Sequence, residues 1–115
     1  YKARLRDETL TRDELREIEE AYLSDIQSGN GLTNGWPAHS YCVSKALVNA
    51  YTRHYAAHYP NLKINSLCPG WVKTDMGGPT ASDEIETGAL RVFDLLQNDG
   101  EETGQYWQSG KVRKF

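Results

Sequence analysis

The chain has 115 residues, 13 Lys and Arg against 16 Asp and Glu, and a formal charge of -3, so one small domain is the most it can build and no basic surface for nucleic acid or an anionic membrane is expected. Its mean hydropathy of -0.69 is low for an independent globular domain, and no apolar run is long enough to span a bilayer. Cys42 and Cys68 have neither metal-ligand spacing nor the density of a disulfide scaffold; they read as small semi-buried fillers in a reducing, cytoplasmic setting.

Residues 1–10 read as an irregular lead-in. Thr11 and Glu14 then match a capping box, in which hydroxyl and carboxylate satisfy the orphan amides of a helix start. Leu15, Ile18, Tyr22 and Ile26 follow at helical spacing, with Asp13, Glu17, Glu20 and Asp25 away from that stripe. Ser28-Gly29-Asn30-Gly31 stops this helix, and the loop through Gly35-Trp36-Pro37 offers Trp36 as a packing anchor. A second helix is expected from 38–40 to His58 or Tyr59, where Pro60 breaks it. Its stripe is Val43, Leu47, Ala50 and His54, with Ala46, Ala50 and Ala57 as small packing residues.

Leu62 to Cys68 reads as a strand ended by Pro69-Gly70. A third helix is expected to start at Ser82 as N-cap and to bury Ile85, Ala89, Val92 and Leu96. Asn98-Asp99-Gly100 turns the chain, and Thr103 to Trp107 is the expected last strand, followed by a solvated basic tail, Lys111 to Phe115. Two strands joined through a helix imply a parallel crossover. Two strands alone cannot form a sheet covered on both faces, so an α/β reading requires strands outside this chain.

Two features carry chemistry. Tyr41 and Lys45 stand four residues apart, one helical turn, where an ammonium beside a phenol favours the phenolate. Downstream, Cys68-Pro69-Gly70-Trp71-Val72-Lys73-Thr74-Asp75-Met76 runs from a strand end into a turn. Together with Gly35-Trp36-Pro37, Tyr51-Thr52-Arg53 and Glu86-x-Gly88-Ala89, these motifs resemble the short-chain dehydrogenase/reductase family. The resemblance is to its carbonyl reductase branch, which includes menthone- and salutaridine-type reductases, and it covers Thr11 to Phe115.

The resemblance implies the C-terminal part of a Rossmann-type, doubly wound parallel sheet whose N-terminal cofactor half is missing. Residues 5–37 correspond to an insertion with a helix, and 38–115 to the catalytic helix, a strand, a helix and the last strand. It further implies reduction of a ketone or aldehyde by NADPH. Tyr41 would be the proton donor, and Lys45 its activator and the contact to the nicotinamide ribose. Pro69, Gly70, Val72 and Thr74 would form the cofactor turn, with the Val72 backbone and the Thr74 hydroxyl meeting the carboxamide, and Trp71 and Met76 would lie near the substrate.

No Gly-x-Gly-x-x-Gly occurs, so the phosphate turn is absent from this chain, and the family's serine would precede Tyr1. Ser28 does not replace that serine, because it follows a charged helix and not an apolar strand. The insertion helix is expected to cover the second helix and make the full-length protein a monomer. No metal site is expected, since His54 and His58 lack a third ligand. The competing class is a non-catalytic truncated product or interaction module that keeps the end of the fold.

Overall fold

In a computed structural model, which describes residues 1–114, the chain forms four helices and three short strands among the described residues. Helix α1 spans Lys2–Leu5, α2 Arg12–Gln27 and α3 Ser40–His58. Strand β1 is Ser66–Cys68, α4 is Ile85–Leu96, β2 is Tyr106–Gln108 and β3 is Lys111–Arg113.

The Thr11 capping box forms as the sequence predicts. The Glu14 N–H donates to the Thr11 hydroxyl at 3.3 Å, and the Glu14 carboxylate accepts from the Thr11 N–H at 2.8 Å. These bonds hold the Glu14 carboxyl below its usual range, the Thr11 backbone bond first. From this start Leu15 and Ile18 reach the core, where they meet Leu5, Trp36, Val43, Leu47 and Ala50. Trp36 is the expected anchor: it stacks on Tyr1, meets Tyr22 edge-on, and its Nε1–H donates to Asp25 Oδ2 at 2.7 Å. Asp25, which the charge pattern assigned to the solvated face, also accepts from Asn34 Nδ2 at 2.8 Å and so ties the loop after α2 back to the helix.

The lead-in is not irregular. Residues 2–5 form a helical turn that places Leu5 in the core, and the Arg53 guanidinium donates to the Leu5 carbonyl. Burial depresses the Arg53 guanidinium first of all. On α3 the stripe Val43, Leu47, Ala50 and His54 is buried as expected, but Ala56 and not Ala57 is the small residue turned inward. Gly104 packs there, its α-carbon side facing Ala56.

β1 and β2 pair in parallel, Ser66 with Tyr106 and Cys68 with Gln108, in the crossover predicted from the sequence. β1 is shorter than the Leu62–Cys68 run because side chains replace its first ladder bonds. The Ile64 N–H donates to the Thr103 hydroxyl at 3.0 Å, and Asn65 Oδ1 accepts from the Gln105 N–H at 2.9 Å. The basic tail is not merely solvated: Gln108-Ser109-Gly110-Lys111 turns with both central residues at left-handed φ, 52° and 72°, and returns as β3, antiparallel to β2.

α4 departs furthest from expectation. Asp83 is engaged in a parallel bridge with Val72, so Glu84 and not Ser82 is the N-cap. Ile85, Val92 and Leu96 are exposed, Leu96 at 78%, and the residue buried on this helix is Gly88. There the helix comes against Val72, and an added Cβ would lie 2.7 Å from Val72 Cγ2. Helices and the three-stranded sheet, ordered β1-β2-β3, make a mixed α/β arrangement.

Candidate active site

Tyr41 and Lys45 sit in the first turns of α3, following His39 at the N-cap. They share one helix face, with Lys45 Nζ 5.5 Å from the centre of the Tyr41 ring. Tyr41 is 64% exposed, so its hydroxyl is open to a ligand, whereas Val43 between them points into the core. Cys42 is exposed too, which corrects the expectation of a semi-buried filler; Cys68 is half-buried at the end of β1. The reason is position: Cys42 stands on the solvent side of α3 next to inward-facing Val43, while the Cys68 thiol adjoins the Tyr106 phenol.

Burial raises the Tyr106 phenol above its ordinary value, and the adjoining Cys68 thiol and then the nearby Tyr41 add to this. Tyr106 is thus a neighbour of the Tyr41 face that the sequence reading did not single out. Its only signal was a place in the last strand.

Beyond Cys68 the chain folds into a clamped turn. Gly70 has φ +96°, and a Cβ there would lie 2.0 Å from Arg91 Nη1, so both the backbone angle and the space require glycine. The Asp83 N–H donates to the Trp71 carbonyl and the Lys73 N–H to the Asp83 carbonyl, each at 2.9 Å. Val72, between these two bonds, directs its own N–H away from Asp83. The Lys73 ammonium pairs with Glu84.

The Thr74 hydroxyl accepts from the Gly77 N–H at 3.1 Å and reaches the Val72 carbonyl at 3.4 Å. Trp71 Nε1–H donates to the Gly77 carbonyl at 2.8 Å, which closes residues 71–77 on themselves. Trp71 nevertheless stays 56% exposed and Met76 93% exposed. Neither is core, so both side chains offer apolar surface to a ligand or to another part of a longer polypeptide. Pro69, Gly70, Val72 and Thr74 are therefore held in one hydrogen-bonded segment that follows the end of β1. His54 and His58 lie on the far half of α3, where each Nδ1 faces a backbone carbonyl, of Leu10 at 3.2 Å and of His54 at 2.8 Å. No group of three or more His, Cys, Asp or Glu side chains suited to a metal occurs among the described residues.

Comparison with known proteins decides the family. The chain is 41% identical to a (+)-neomenthol dehydrogenase of Capsicum annuum over 84% of its own length, and 36% identical to a carbonyl reductase [NADPH] 1 of Oryctolagus cuniculus over 97%. The structure of salutaridine reductase from Papaver somniferum superposes with a TM-score of 0.83 at 34% identity over 90% of the chain. The chain belongs to the short-chain dehydrogenase/reductase family. No family model matches it. It spans 32%, 44% and 36% of the lengths of these three relatives, and as a member of the family's carbonyl reductase branch it corresponds to their C-terminal part. Among the described residues no helix is long and apolar enough to cross a membrane.

Proposed function

We propose that this chain forms the proton-donating, nicotinamide-side part of an NADPH-dependent reductase acting on a small ketone or aldehyde. The observation that carries the reading is an exposed Tyr41–Lys45 pair on one helix face, in a chain whose turn after Cys68 is clamped by backbone bonds. In open α/β sheets, ligands bind beyond the carboxyl ends of the strands, which is where the turn after β1 stands.

The residues present suit one end of the cofactor. Tyr41 and Lys45 are exposed and carry donors suited to the nicotinamide ribose, and the Val72 N–H, turned away from Asp83, suits the oxygen of a carboxamide. The Thr74 hydroxyl, already accepting from Gly77, keeps its orientation for the same group. The phosphate end has no counterpart here, since a Gly-rich turn opening a helix is what supplies those amides.

NADPH, when bound, supplies the hydride. Tyr41 donates its hydroxyl proton to the carbonyl oxygen, and the Lys45 ammonium stabilises the phenolate left behind. Trp71 and Met76 present exposed apolar surface suited to the body of the substrate. α2 covers the Val43, Leu47 and Ala50 face of α3, which supports a monomeric full-length protein.

The test uses the full-length polypeptide that carries these residues. Tyr41→Phe should lower kcat by about 10²- to 10⁴-fold, the share a positioned proton donor contributes, with NADPH affinity retained. Lys45→Met should impair both. Near-normal turnover by Tyr41→Phe would assign the proton to another group. The 115 residues alone should neither bind NADPH tightly nor turn over a carbonyl, because they contain no Gly-rich turn to supply phosphate-binding amides.

A further inference from the structure

Arg91 is one turn into α4 from Gly88, and nothing in the reaction as read above uses it. Its Nη1 donates to the Pro69 carbonyl at 2.5 Å and to Asp83 Oδ2 at 2.6 Å. The two side chains are about three-quarters removed from solvent, at 24% and 23% exposure. The guanidinium lies directly over Gly70, where an added Cβ would collide with both Arg91 Nη1 and Asp83 Oδ2.

Asp83 is thus tied to the turn twice. Its backbone bridges Trp71 and Lys73, and its carboxylate holds the arginine that holds Pro69. We infer that Arg91, oriented by Asp83, is a positioning residue that fixes the Pro69–Thr74 turn in register for the cofactor; this rests on the function proposed above.

The physical argument separates precision from folding. Removing the Arg91 side chain leaves the backbone bridge between 71–73 and 83 as the remaining tie, so the turn still forms but opens more often. What is lost is the donor on the Pro69 carbonyl, and the Asp83 carboxylate is left partly buried without its charge partner. The end of β1 can then shift relative to Val72. Displacements on the order of 1 Å are enough to spoil a reacting geometry. Gly70 and Arg91 also constrain each other: the arginine occupies the space that a side chain at 70 would fill, so a larger residue at 70 should mimic the loss of Arg91.

Arg91→Met, Asp83→Asn and the double variant would be made in the full-length polypeptide. Steady-state kinetics with NADPH would be read beside amide hydrogen exchange over 69–78 and the fraction folded. Arg91→Met is expected to raise KM for NADPH about tenfold, with kcat reduced less, and to speed exchange at Lys73, Gly77 and Gly78 while the fraction folded holds. The double variant should be no worse than Arg91→Met within about twofold, because Asp83 acts through Arg91.

Arg91→Lys should recover part of the loss, since an ammonium can replace one of the two bonds. Unchanged exchange over 69–78 in Arg91→Met would overturn the inference whatever the kinetics. So would a KM within twofold of the parent in an active enzyme. A parent protein lacking NADPH-dependent turnover would instead defeat the proposed function, and the exchange measurement would still decide whether Arg91 clamps the turn.

Discussion

The helical half and the sheet half of this chain are built to different standards. Among α1, α2 and α3 lie Leu5, Leu15, Ile18, Trp36, Val43, Leu47 and Ala50, all essentially out of solvent. In the other half Ala81 and Gly88 are buried, while Ile85, Leu90, Val92, Phe93 and Leu96 of α4 remain exposed. The sequence of α4 is as amphipathic as that of α2, so the difference does not lie in patterning. It lies in which partner is present. α2 has α3 to bury its stripe against, whereas α4 is buried at Gly88, against Val72, and tied to the turn through Arg91. The relatives are two to three times as long as this chain, and the apolar surface of α4 is of the kind that further layers of a doubly wound sheet cover.

The largest test of this contrast is a pair of truncations. Leu15→Ala should destabilise the chain by about 3 kcal/mol, the usual cost of a cavity at a fully buried leucine. Leu96→Ala should change it by less than about 0.5 kcal/mol, as for an exposed position. Denaturant titration of the 115-residue chain followed by far-ultraviolet dichroism would measure both. Equal losses would dissolve the contrast. In a longer polypeptide that covers α4 the Leu96 effect should grow.

Trp36→Phe should cost about 1–2 kcal/mol. It keeps the stacking on Tyr1 but removes the N–H that Asp25 accepts, leaving a half-buried carboxylate one bond short. Asp25→Asn in the Trp36→Phe background should then add little, which a double-mutant cycle would detect. Thr11→Ala, at a cap with both box bonds made, should cost about 1 kcal/mol and should fray the first turn of α2 selectively in hydrogen exchange.

The smallest effect is with pH. The carboxyls of Asp7 and Glu14 are both held below their ordinary values, by Thr9 and Thr11 bonds respectively. A depressed folded value means that their contribution is present above the unfolded carboxylate range and is lost as the pH falls through the folded value. The helical half should therefore weaken slightly below about pH 4. Glu14→Gln should flatten that dependence.

How much of this was legible in the sequence follows from the range of each determinant. The Thr11–Glu14 box, the Val43-Leu47-Ala50 stripe and the stop at Pro60 act within one helix, and each stands where the sequence puts it. The strand 62–68 contracts to 66–68 because Thr103 and Asn65 side chains substitute for ladder bonds, a trade that periodicity does not register. β3 did have a signal, the Ser109-Gly110 pair, but a short basic tail reads as solvent until its turn is seen to close. At the site, Tyr41, Lys45 and the 69–76 motif were visible as spacing and motif. Asp83, Arg91 and Tyr106 were not, since what they do depends on Gly70 and Cys68 being brought to them from 13 to 38 residues away.

The tryptophans give the chain an internal optical label for each of its parts. Trp36 is enclosed by Tyr1, Tyr22 and the Asp25 carboxylate, Trp71 stands in water at the turn, and Trp107 lies half-buried in β2. A soluble quencher therefore reaches Trp71 first and Trp36 last. Loosening of the turn, of the sheet and of the helical core each leaves a different mark on the emission spectrum, with no dye attached.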